Sequence, residues 1–275
     1  MASWHDLKTL LFAKQLGEKS PKFDGAPPPI IPELDHEDCE CNESANHDDL
    51  HAEGQCFGIC YVNARQQEST RRIVVWGLKA NKTNNLLLVS KCLESGKTKT
   101  FRADRIKYCY DLNGEIFEPP YDFLVETFGL TQSQSQLVGS FQLPPSGNSN
   151  SRDEVYLRVR RLLKEELIVL SAMSECDGEV CFAETAEILN YVNKRAIGEQ
   201  LEWTPEHEKK IQGYIRRIRP SDDNIIEALD HVASLPVDSQ IRFASACKNV
   251  MLADGITHDA ELDLLDLITE ELFGC

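Results

Sequence analysis

The stretch Ser174-Glu175-Cys176-Asp177-Gly178-Glu179-Val180-Cys181-Phe182-Ala183-Glu184 has an echo later in the chain, Met251-Leu252-Ala253-Asp254-Gly255-Ile256-Thr257-His258-Asp259-Ala260-Glu261. The Asp-Gly pairs and the two glutamates recur at one offset, 77 residues. Asp-Gly is a turn-forming pair, because the Asp side chain bonds nearby backbone and Gly accepts a positive φ. An apolar helical run precedes each pair, and another follows with the Glu at its third position. Each copy therefore reads as helix, tight turn and second helix, and two such joints predict an all-α unit.

Working outward, the helical period starts at Arg152. Val155, Val159, Leu162, Leu163, Leu167 and Leu170 step by three and four, which puts them on one face. Further helices are expected over about 182–197, 205–219, 222–235, 236–253 and 259–273. Start signals mark two of them: Thr204 before Pro205, and Ser221 before two acids. Residues 152–275 form the second expected domain, an all-α bundle.

Upstream the texture changes to short strand-like runs between polar turns, at 57–62, 72–78, 85–92 and 99–108. These predict a small, twisted antiparallel sheet or barrel over 54–130, closed by Pro119-Pro120 and a short helix at 121–129. Residues 131–151, rich in Ser, Gln, Gly and Pro, read as a linker. The first 53 residues read as a short helix near 4–15, with Leu7, Leu10 and Leu11 on one face. An extended segment around Pro27-Pro28-Pro29 and Pro32 follows, and then an acidic stretch. The expected fold class is α+β in two domains.

With 41% apolar residues the chain can bury two cores. No run approaches the roughly 20 apolar residues of a membrane span, and 1–16 has no secretory cleavage pattern, so a cytoplasmic protein without membrane contact is expected. The ten cysteines are scattered, several in apolar runs such as Cys92, Cys176 and Cys247, and are expected to stay reduced. The net charge of −16 is uneven. Arg65 to Lys107 holds eleven bases against three acids, whereas Glu18 to Glu53 carries −9 and Arg152 to Cys275 carries −11. Different partners are expected for the basic and acidic parts.

The paired Asp-Gly and Glu signatures resemble those of the TerB-like, tellurite-resistance family of helical domains, over nearly all of 152–275. The resemblance implies a divalent-cation site, Ca²⁺ or Mg²⁺, formed by Asp177, Glu184, Asp254 and Glu261. The residues themselves also support plain capping, since a Glu at the third helical position can accept from free N–H groups. Cys181 and His258 then stand at the cap positions, where a hydroxyl is commoner. In the strand region, Tyr61-Val-Asn-Ala, Arg71-Arg72-Ile-Val-Val and Thr100-Phe101-Arg102-Ala-Asp104-Arg105-Ile resemble the landmarks of WYL domains. Leu86-Leu87-Leu88 stands where that family has Trp-Tyr-Leu. The resemblance implies a small SH3/Sm-like barrel with a ligand pocket lined by Tyr61, Arg71, Arg72, Phe101, Arg102 and Arg105.

Guanidinium forks suit phosphate or carboxylate, so the expected ligand of the basic segment is an anionic small molecule or single-stranded nucleic acid. On a regular strand Arg102 and Arg105 would face opposite ways, whereas Arg102 and Asp104 would share a face and pair. Phe57, Tyr61, Trp76, Phe101 and Tyr108 offer either base stacking or core filling. The Cys and His residues from His36 to Cys60 lack familiar zinc spacings, and structural zinc is not expected. Both resemblances point to a regulatory or sensor protein of the stress or defence type, with protein partners at the helical domain. Two other classes remain open, a metal-dependent hydrolase built on the four acids and a non-catalytic adaptor. The chain shows no Gly-rich phosphate loop, nucleophile elbow or His-Glu-x-x-His, and its amino-terminal segment is too short for a helix-turn-helix.

Overall fold

Alternation marks the strands of the sheet that runs from Leu50 to Phe117. Phe57, Ile59 and Tyr61 face one side of their strand and Cys56 and Cys60 the other, and all five are buried. The computed structural model describes residues 22–27, 29–30, 50–80, 85–130, 154–176 and 181–274. These fall into two compact units, one within 20–149 and one within 150–275. The first holds a six-stranded antiparallel sheet of β1 (Leu50–Val62), β2 (Glu68–Ala80), β3 (Leu86–Cys92), β4 (Thr98–Arg102), β5 (Ile106–Tyr110) and β6 (Ile116–Phe117). Its order is β4-β3-β2-β1-β5-β6, with β4 and β6 as open edges.

The sheet is open but strongly curled. β4 and β5 stand four places apart, yet only the 3₁₀ turn Ala103–Arg105 joins them. Laid flat, four strand spacings cover about 19 Å, whereas the four peptide steps from Arg102 to Ile106 reach about 15 Å at most. Curling closes the gap, and it brings the Tyr61 ring of β1 edge-on to Phe101 of β4 at 5.1 Å. Register shifts at His51/Gln55 and Val75/Gly77 bend the two longest strands. Helix α1 (Tyr121–Phe128) covers the concave face, with Phe123 edge-on to Phe57 at 5.3 Å.

The expected strand over 99–108 is therefore two strands broken by a turn, because the chain must cross from one side of the sheet to the other. The sheet also starts earlier than expected, at Leu50, and part of the expected linker lies on it. Phe23 packs against Tyr110 at 6.0 Å, Asp24 N–H donates to Leu112 O at 2.8 Å, and Ile30 bridges Thr70. The expected helix near 4–15 and the linker over 131–151 lie outside the described residues.

The second unit contains α2 (Glu154–Leu162), α3 (Lys164–Glu175), α4 (Phe182–Gly198), α5 (Pro205–Arg217), α6 (Asp222–Ala233), α7 (Val237–Met251) and α8 (Asp259–Phe273). The period starting at Val155 runs through two helices that meet at Leu163, not one. The break lets α3 be buried all round, with nine consecutive buried residues from Glu166 to Ser174, and α4 to α8 all pack against it. The expected caps are present: Thr204 Oγ1 accepts from His207 N–H and Ser221 Oγ from Asn224 N–H. Among the described residues, no helix is long and apolar enough to cross a membrane.

Candidate anion-binding site

The curled sheet sorts the six expected pocket residues onto two faces. Tyr61, Arg71 and Phe101 point into the concave core, each at most 3% exposed. There Arg71 Nε donates to Ser69 Oγ at 3.1 Å, and Ser69 Oγ donates to Tyr61 O at 3.4 Å. A buried guanidinium is costly unless hydrogen-bonded, so these contacts belong to the core of the unit. Arg72 projects from the convex face, where Glu94 takes both its Nε (2.6 Å) and its backbone N–H (3.0 Å) and Phe23 lies 5.5 Å from its guanidinium. Arg102 also lies on the convex face, and Arg105 sits in the 3₁₀ turn, half-buried. The expected Arg102–Asp104 pair forms through that turn, with Nε donating at 3.0 Å and Nη2 at 2.7 Å to the two carboxylate oxygens.

Register shows what else shares the convex face. Directly opposed residues of neighbouring strands point the same way. Three cross-strand rows follow: Lys79–Leu87–Arg102, Gly77–Val89–Thr100 and Val74–Lys91–Thr98. The outer rows carry Lys79, Arg102 and Lys91, and none of the nine positions is acidic. The middle row is low because Gly77 has no side chain, and Trp76, at the register shift beside it, packs half-buried on the convex cluster with Val74. The result is a basic strip beside Trp76, called the trough below, about 13 Å between its outer rows. Lys79 and Lys91 escape a reading of the sequence because their shared face depends on register across three strands. On β5, Lys107 donates to Glu68 at 3.0 Å, and this contact raises the lysine pKa.

The four expected cation ligands separate differently. Asp177 lies outside the described residues. Glu184 is buried, and its Oε2 accepts from Cys181 N–H at 2.8 Å and Ser174 Oγ at 3.0 Å, while Cys181 Sγ accepts from Glu184 N–H. Glu261 is likewise buried and accepts from His258 N–H at 2.8 Å. Asp254 Oδ1 accepts from Ile256 N–H at 2.8 Å inside its turn. These contacts are caps and a turn lock, so Glu184 and Glu261 already serve the helix starts. Among the described residues, no three His, Cys, Asp or Glu side chains gather in a way that would hold a metal. His36, Cys39, Cys41 and His47 lie outside the described residues, and Cys56 and Cys60 are buried in the sheet.

A different polar cluster, unforeseen in the sequence, sits in the helical core. Arg195 Nη1 donates to Glu166 Oε1 at 2.6 Å and to the Tyr191 hydroxyl at 3.1 Å, with Glu166 buried. Burial pushes the Glu166 pKa up, and Arg195 pulls part of that back. Searches of protein-family models, curated proteins and solved structures find nothing that matches this chain.

Proposed function

We propose that the protein is a regulatory sensor whose β-unit binds an anionic ligand, a nucleotide or single-stranded nucleic acid, in the basic trough on β2, β3 and β4. On this reading the curled sheet is a WYL-like barrel of the SH3/Sm type. The helical unit is a TerB-like module that passes the signal on through protein contacts in the cytoplasm. One observation carries it: Lys79, Lys91 and Arg102, each partly exposed, share one face of the sheet with Trp76 beside them, in a chain whose remaining charge is strongly acidic. A polyanion is repelled elsewhere and attracted here, and an aromatic beside cations suits a base and its phosphate.

The test uses fluorescence anisotropy with a labelled oligothymidylate, and ATP as competitor. Binding should weaken with salt, and the triple variant K79A/K91A/R102A should bind at least about tenfold more weakly, with a salt slope shallower by about 0.7 per lost phosphate contact. Absence of binding by both probes at about 50 mM salt would sink the proposal.

An adaptor role for the helical unit has its own support. Val237 and Ile241, one turn apart on α7, are 63% and 50% exposed, and Leu252 and Ile256 beyond its end are 49% and 58% exposed. Exposed apolar groups of this kind favour a protein contact. Co-purification with a protein and without a small molecule would favour the adaptor over the sensor.

A further inference from the structure

We infer that Asp104 is an internal counter-anion of the trough, occupying the Arg102 fork until a phosphorylated ligand displaces it, and so selecting phosphates over simple carboxylates. The inference rests on the anion-binding reading above. Asp104 engages Nε and Nη2 of Arg102, the side-on edge of the guanidinium, which is one of the two edges that can hold an anion by two hydrogen bonds. Only one anion fits that edge at a time.

Displacement is feasible because the pair is local and wet. The two residues are two apart in sequence, and each side chain is 24% exposed. Partly exposed ion pairs change an equilibrium by a factor of only about 1.4 to 5. A monocarboxylate that replaced Asp104 would exchange like for like and gain nothing. A phosphate brings more charge and meets Lys79, which shares the cross-strand row of Arg102. The carboxylate thus raises the threshold for weak anions while leaving a phosphorylated chain able to compete.

The decisive variant is Asp104→Asn, which keeps the size and one acceptor oxygen but removes the charge and replaces the second acceptor with a donor. Wild type, D104N, R102A and the double variant D104N/R102A are titrated with labelled oligothymidylate, with inorganic pyrophosphate and acetate as competitors. D104N should bind the oligonucleotide about two- to fivefold more tightly, with a salt slope steeper by about 0.7. It should also gain sensitivity to acetate, and the gain in affinity should vanish in the R102A background. Unchanged or weaker binding by D104N, alongside weaker binding by R102A, makes Asp104 a positioning residue. That outcome overturns the inference and leaves the proposed function standing. Failure of wild type to bind either phosphate probe overturns both. Melting curves of D104N establish that it is folded.

Discussion

Arg195→Ala removes the counter-charge from Glu166 and leaves a carboxylate in the middle of the helical bundle. The two groups meet at 2.6 Å, and the Glu166 side chain is only 3% exposed. Opposite charges about 4 Å apart attract by about 4 kcal/mol at an effective dielectric of 20. Breaking a buried pair from one side costs about 3–5 kcal/mol, and that loss is expected at neutral pH. The variant should also respond to acid. Burial already raises the Glu166 pKa above the ordinary 4.5, and Arg195 is the chief influence holding it down. Without Arg195 the folded protein takes up a proton that the unfolded chain does not. Stability is then fully present below the ordinary Glu value and falls as pH rises through the raised one. The deficit of Arg195→Ala should therefore shrink between about pH 7.5 and pH 5. Urea unfolding followed by circular dichroism at 222 nm, which reports helix, measures both numbers. A deficit below about 1 kcal/mol, or one equal at the two pH values, refutes the reasoning. The paired change E166L/R195M should recover most of the loss, since apolar replacement of a buried pair is often neutral.

Gly58→Ala should destabilise the β-unit by about 1–3 kcal/mol, because an added Cβ would lie 1.8 Å from Cζ of the buried Tyr110 ring. A thermal melt that moves by less than a degree would contradict this contact. Glu184→Ala and Glu261→Ala should each cost about 0.5–2 kcal/mol through lost helix caps, seen as lower melting temperatures in calcium-free buffer. Capping predicts that added Ca²⁺ changes nothing in wild type. A calcium-dependent rise in wild type that disappears in either variant would support the ion site.

Much of the helical unit is legible along the chain. The starts at Pro205, Asp222 and Asp259 fall where the cap and turn residues put them. These signals are local, between residues three or four apart, and survive whatever packs around them. The kink at Leu163 was not legible, because the apolar steps on either side of it continue the same period. In the β-unit, the composition of the strands announces β1, β2 and β3. The division between β4 and β5 has only a weak local signal, since Ala103 and Asp104 are poor strand formers but no Gly or Pro marks a turn, and the need to cross a curled sheet breaks the strand there.

By itself, the sequence determined the classes of element, most helix boundaries, the Asp-Gly joints and the uneven charge. These depend on neighbours in the chain. Tertiary structure alone decided that Arg71 is buried while Arg72, one residue on, meets Glu94 twenty-two residues away. It also decided that Lys79, Lys91 and Arg102 share a face, and that Glu166 finds Arg195 across two helices. Each of these depends on register or packing between distant segments, and a shift of one residue in a strand would send every side chain to the other side.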